Sequence, residues 1–173
     1  MRPAEHERRA SIVEVRAKGR RLDGYAATFD AEARIGSITE VIVPGAFADS
    51  LRSGADILAL VDHDPARVLA RTRSGSLRLS EDAHGLAFEI EVPDTSAGRD
   101  VLALAERGDL GGMSFGFEAT EESWNGDRRE LRRVKLLEIR VVAAWPAYPD
   151  TTIQARNRPS RRAERARRYL ETL

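Results

Sequence analysis

Gly111-Gly112-Met113-Ser114-Phe115-Gly116-Phe117 alternates large apolar side chains with small or polar ones. That period of two is the mark of a β-strand with one buried face. Met113, Phe115 and Phe117 would anchor the strand in a core, and Ser114 would project from the opposite face. The glycines on either side would keep the serine's face bare, so that a peptide backbone could approach it closely.

The same pattern extends in both directions. Downstream, Asn125-Gly126-Asp127 reads as a loop leading into a long β-rich run, Val134 through Val142, and Pro146 and Pro149 end regular structure. Upstream, Asp94, Thr95 and Ser96 are all suited to cap a helix. Val101, Leu102, Leu104 and Ala105 supply its apolar face, and Gly108 stops it. Before that helix, Leu77 and Leu79 and then Leu86, Phe88, Ile90 and Val92 alternate with polar residues across a turn at Asp82–Gly85, which reads as an antiparallel hairpin. Ile57–Val61 is a short buried strand. Pro44 starts a short helix on which Phe47 and Leu51 share a face, ended by Gly54. Ile38–Val43 and Leu22–Phe29 are strands, and ordered structure is expected to begin near Ser11 with Ile12, Val13 and Val15. The fold class is therefore mainly β with peripheral helices, a barrel or rolled sheet.

The chain divides into a flexible arm (residues 1–10), one domain (11–155) and a basic tail (156–173). The tail carries seven arginines against two glutamates, and Ser160 after Pro159 could cap a helix in it. Over all 173 residues, 28 basic side chains balance 28 acidic ones, which argues against a nucleic-acid coat. Cysteine is absent, which removes disulfides, thiolate nucleophiles and cysteine zinc sites. No apolar run is long enough to span a membrane, and the first ten residues lack the apolar stretch of a secretion signal.

Three side chains could form a catalytic group. His63 ends an apolar strand within Asp62-His63-Asp64-Pro65, where a rigid strand could fix an imidazole that a loop leaves reachable. The plain alternative is a strand-terminal residue steadied by its carboxylate neighbours. Ser114 has been described; on its own it could equally be a strand serine between packing glycines. Glu138 interrupts the aliphatic run and needs a partner if buried. An imidazole N–H would serve, but parity puts Arg140 on the same face, so a Glu138–Arg140 pair is the competing reading. A serine hydroxyl needs a base, and the base works best when an acid orients it. The order His, Ser, Glu is neither that of chymotrypsin nor that of subtilisin, and no Gly-x-Ser-x-Gly elbow is present. His6 and His84 offer less: one is in the arm, the other in a hairpin turn.

In its whole layout the chain resembles the prohead maturation proteases of tailed phages, capsid proteases likened in fold to the herpesvirus assemblins. The matching pieces run in order: Gly24-Tyr25-Ala26 with Phe29; Glu40 through Pro44-Gly45-Ala46-Phe47; Asp62-His63-Asp64-Pro65; Leu69-Ala70-Arg71-Thr72; Pro93-Asp94-Thr95; Arg107-Gly108-Asp109-Leu110; Met113 through Phe117; Leu137-Glu138 with Val141-Val142; and Pro146-Ala147. The resemblance implies an assemblin-like β-barrel and a serine endopeptidase with His63 as base, Ser114 as nucleophile and Glu138 as the acid. It implies no cofactor or metal. Its substrates would be the major capsid protein's scaffolding segment, any separate scaffold, and the protease itself, with self-association as a further possibility. It would act inside the assembling prohead, in the host bacterial cytoplasm, with no membrane and no specific nucleic-acid partner. The alternative is an inactive capsid-assembly module that keeps the protease fold. Asp62 stands where the family often has asparagine, and Arg140 where it commonly has a small residue.

Overall fold

The computed structural model describes residues 7–11, 15–62, 64–143 and 151–153. Twelve strands and two helices occur in it: β1 (Glu7–Ser11), β2 (Val15–Lys18), β3 (Arg21–Thr28), β4 (Ala33–Ile35), β5 (Ile38–Ile42), α1 (Ala48–Arg52), β6 (Leu58–Val61), β7 (Asp64–Arg71), β8 (Leu77–Glu81), β9 (Gly85–Glu91), α2 (Ser96–Arg107), β10 (Gly112–Asn125), β11 (Arg128–Val142) and β12 (Thr151–Ile153). The protein is mainly β with two helices, as its alternating segments require. Four strands form one sheet in the order β2-β3-β9-β8, and eight form the other. Neither sheet closes on itself among the described residues, so the barrel takes the form of two open sheets around a shared core.

The helix signals act as expected. The Thr95 hydroxyl accepts from the Gly98 N–H at 3.1 Å, and Gly108 ends α2 in the left-handed conformation at φ 70°. Val101 and Ala105 of α2 enter the core, together with Leu22, Phe88, Ile90, Met113, Phe115 and Phe117.

In the larger sheet β11 is the hub. It pairs antiparallel with β10 along its length. Its first part lies parallel to β5, Arg128–Leu131 against Thr39–Ile42, and its last part lies parallel to β6, Glu138–Val141 against Leu58–Val61. Between the two, α1 and the turn before it run beside β11. The Val134 N–H donates to the Ala46 carbonyl at 3.0 Å, and the Leu136 N–H donates to the Ser50 hydroxyl at 2.7 Å.

Leu137 is an extra residue in this strand. Phe117 pairs with Leu136, but Gly116 pairs with Glu138, a β-bulge. Val134 and Leu136 face the core before the bulge, and Ile139 and Val141 face it afterwards. Without the bulge, unbroken alternation would turn Glu138 and Arg140 into the core and Ile139 and Val141 away from it.

Two elements depart from the sequence expectation. The arm was drawn through residue 10, yet Glu7–Ser11 pairs with β10 as an edge strand of the larger sheet. Residues 1–6, most of the expected first strand at 12–14, the two prolines at 146 and 149, and the basic tail 156–173 lie outside the described residues. The second is β7, which begins at Asp64-Pro65 and pairs only with β6.

Charge, not apolar burial, holds β1. Arg9 donates through Nε and Nη2 to both oxygens of Glu40, at 2.5 and 2.7 Å, and its guanidinium lies 5.3 Å from the centre of the Phe117 ring. Arg129 donates to Glu7 at 2.5 and 2.7 Å, to Glu40 at 3.0 Å and to Glu122 at 2.7 Å. Glu40 is 2% exposed.

Two outcomes follow from these contacts. Ser50→Ala leaves the Leu136 N–H buried without its acceptor, so unfolding in urea should show a loss of about 1–3 kcal/mol with an unchanged denaturant slope. The second concerns acid. Burial opposes ionisation of Glu7, but hydrogen bonds from Arg129 and Arg9 outweigh it and hold the carboxyl below its ordinary value of 4.5. A carboxyl depressed in the fold stabilises it above the unfolded value and loses that contribution as pH falls through the folded value. Hydrogen exchange, corrected for intrinsic rates, should therefore show β1 amides opening progressively below about pH 4.5, and Glu7→Gln should remove most of that dependence.

Candidate active site

Ser114 is set by its strand. Met113, Phe115 and Phe117 are fully buried on the core face of β10, so the residues between them take the other face. Phe115 stacks on Phe117 at 5.2 Å and meets Phe47 edge-on at 5.6 Å, which fixes the strand's roll. In register, Ser114 lies between Ala10 of β1 and Arg140 of β11, and Arg140 lies beside Leu60 of β6. Two residues along, Gly116 lies beside Glu138, and Glu138 beside Leu58.

The bulge at Leu137 thus brings Glu138 and Arg140 onto the face of Ser114. Gly116 makes room for them: a Cβ there would lie 2.9 Å from Glu138 Oε1 and 3.0 Å from its Cγ. The glutamate side chain lies over the bare glycine, as only a residue without a side chain permits. Glu138 and Arg140 are ion-paired. Arg140 is 1% exposed, and the Glu138 side chain 21%. The serine's face was expected to be bare, but Ser114 is only 3% exposed. The stretch is also paired on both edges, so its backbone N–H groups are directed into the two ladders and not toward a developing oxyanion.

His63 lies outside the described residues. Its chain neighbours are described. The Asp62 N–H donates to the Val141 carbonyl at 2.8 Å, and Asp62 Oδ1 accepts from the Ala143 N–H at 3.0 Å. Arg67 approaches the other carboxylate oxygen at 3.5 Å. Asp62 has φ 51°, a left-handed conformation that Asp and Asn tolerate better than most residues. On the other side, Asp64 pairs with Val61, and its Oδ1 accepts from the Ala66 N–H at 2.9 Å. The chain on both sides of position 63 is therefore tied to the end of β6, and through Asp62 to β11 just past Arg140.

A depression of about 960 Å³ is lined by Tyr25, Leu51, Ile57, Leu79 and Phe88, and none of its lining residues belongs to the Ser114 face. Among the described residues, no group of three or more His, Cys, Asp or Glu side chains is placed to hold a metal ion. Residues 7–165 match the caudovirus prohead serine protease family.

The chain belongs to that family. Membership makes it a serine protease of the kind that matures phage capsids. Its fold is similar to the capsid assembly protease of bacteriophage T4, gp21, with a TM-score of 0.55 at 10% sequence identity, covering 82% of this chain and 96% of the other. No curated protein matches the sequence. No helix among the described residues is long and apolar enough to cross a membrane.

Sequence reasoning passed over Ser50, and it read Gly116 as keeping the serine's face bare for a peptide, not as the seat of the Glu138 side chain. The signal was present in the phase of the apolar residues, with Val134 and Leu136 giving way to Ile139 and Val141, an odd step where an even one was due. Gly116→Ala should push the Glu138 side chain off its seat while leaving the strand paired. Proteolytic turnover should fall by ~10- to 100-fold, the cost of a displacement near 1 Å, with a melting temperature close to that of the parent.

Proposed function

We propose that the chain is an endopeptidase that cleaves the scaffolding segment of the major capsid protein, any separate scaffold and itself, using Ser114 as nucleophile, His63 as base and Glu138 as the acid behind the base. The observation that carries this assignment is the placement of Ser114 and Glu138 on one face of paired strands, two register pairs apart. The anchoring of Asp62 at the end of β11 adds support for His63.

In the proposed reaction the Ser114 hydroxyl oxygen attacks the scissile carbonyl carbon while the His63 imidazole takes its proton. The C–N bond then breaks, the proton passes to the leaving amine, and an acyl-serine remains. Water, deprotonated by the same imidazole, hydrolyses that ester and restores the serine. Glu138 accepts from the second imidazole N–H and steadies the imidazolium. It keeps this role beside Arg140 because a carboxylate has two oxygens and about four acceptor sites. Arg140, ion-paired with that carboxylate, puts a positive charge on the face where the tetrahedral intermediate becomes negative. The reaction takes place inside the assembling prohead, in the host bacterial cytoplasm.

Co-expression with the neighbouring capsid gene, with capsid mass as the readout, tests this. The parent chain should shorten the capsid protein, and Ser114→Ala and His63→Ala should each leave it at full length. Glu138→Gln should retain partial processing, slowed by roughly 10²- to 10⁴-fold, because the nucleophile and base remain. Normal assembly on full-length capsid protein with every variant, the parent included, would instead identify an inactive assembly module.

A further inference from the structure

Around Ser114, from Met113 to Phe117, β10 has no open edge. One side of β10 is taken by β11 and the other by β1, with Ala10 directly opposite Ser114. An extended peptide is read most economically by adding as a strand to a sheet edge, where backbone hydrogen bonds give affinity and alternate side chains give specificity. For β10 that edge is the one residues 7–11 already occupy.

The way β1 is held shows what the edge selects. Its five residues, Glu7-Arg8-Arg9-Ala10-Ser11, include no large apolar side chain. The protein's other strands contribute Glu40, Glu122 and Arg129, two carboxylates and one guanidinium, and β1 completes the cluster with Arg9 and Glu7. Glu40 takes the arginine opposite Phe115 in a two-pronged contact, the geometry that distinguishes arginine from lysine. Arg129 takes the acid opposite Phe117. Ala10, opposite Ser114, is small.

We propose that the β10 edge is the substrate-strand site, that it selects an extended Glu-x-Arg-small segment with the small residue facing Ser114, and that residues 7–11 are its resident occupant, displaced when substrate enters. This rests on Ser114 being the nucleophile, as set out above. The charged hold suits exchange for a like strand: withdrawing residues 7–11 leaves the buried Glu40 and Arg129 without those partners, a costly state, and an incoming segment with the same two charges restores both pairs. Displacement also returns the N–H and C=O groups on that side of β10 to the incoming peptide, the groups a substrate backbone requires.

The experiment compares full-length parent, Arg9→Ala and Glu40→Gln chains on two fluorogenic peptides, one containing Glu-Arg-Arg-Ala-Ser and one with the second arginine replaced by alanine. Arg9→Ala loosens the occupant and leaves Glu40 in place. It should cleave the arginine peptide roughly tenfold faster than the parent does, as expected from losing a charge-assisted pair, and should prefer it to the alanine peptide by a similar factor. Glu40→Gln should erase that preference. Should Arg9→Ala fail to fold, Arg9→Lys keeps the charge but loses the two-pronged contact, and a smaller gain with the same preference is expected. Equal rates on both peptides, with no gain in either Arg9 variant, would overturn the proposal. A Ser114→Ala control separates the two claims: if cleavage survives it, the assignment of the nucleophile fails; if the control is inactive and the Arg9 variants gain nothing, only the edge site fails.

Discussion

One extra residue, Leu137, sets the chemistry of this protein. A strand whose core positions are Val134 and Leu136 would by simple alternation bury the side chains at 138 and 140. Those positions hold a glutamate and an arginine. Two opposite charges in an aliphatic core would lose several kcal/mol each to desolvation before their mutual attraction returned any of it. The bulge keeps both charges out of that core by turning them to the far side of the sheet, where Ser114 lies and where they pair with each other, and gives the core Ile139 and Val141 in exchange.

A bulge loosens the ladder, so it must be supported. Three features do so. The Ser50 hydroxyl accepts from the Leu136 N–H, on the edge of β11 left between β5 and β6. Gly116 leaves space for the glutamate side chain on the neighbouring strand. The chain from β5 through α1 to β6 runs alongside β11, in ladder, then helix, then ladder again, so the irregular stretch is bordered by α1 where a regular strand could not follow it. The helix therefore acts as a splint between two strands that continue along β11. The chain leaving β6 then passes directly to Asp62, which hooks onto the end of β11 by two backbone contacts. The strands of the proposed nucleophile and acid and the strand leading to the proposed base are in this way consecutive neighbours in a single sheet.

The parts legible in the sequence are those governed by local chemistry or by burial on one face. Thr95 and Gly108 bound α2 because a hydroxyl N-cap and a left-handed C-cap are local requirements. β9 and β10 declare themselves because Leu86, Phe88 and Ile90, like Met113, Phe115 and Phe117, can be buried only on one face. β1 and β7 were illegible for the opposite reason. β1 carries four polar residues and an alanine, and its place is decided by a glutamate 31 residues away and an arginine 122 residues away. β7 opens with Asp-Pro and pairs on one side only, so most of its first residues stay exposed and show no period; proline at such a position marks an edge strand. At the site itself, residue types and order pointed to a nucleophile and an acid. The parity argument that paired Glu138 with Arg140 was correct, but how both came to share a face with Ser114 depends on the bulge, a feature of two strands together.

The central claim is that the hydroxyl of residue 114 is activated by an imidazole. The direct measurement is to treat the folded protein with a fluorophosphonate, digest it and locate the adduct by mass spectrometry, with the His63→Ala chain treated in parallel. The account requires a stoichiometric phosphonyl adduct on the peptide containing Ser114 and its loss when the imidazole is removed. An adduct confined to another serine, or one on Ser114 that forms equally fast without His63, would contradict it.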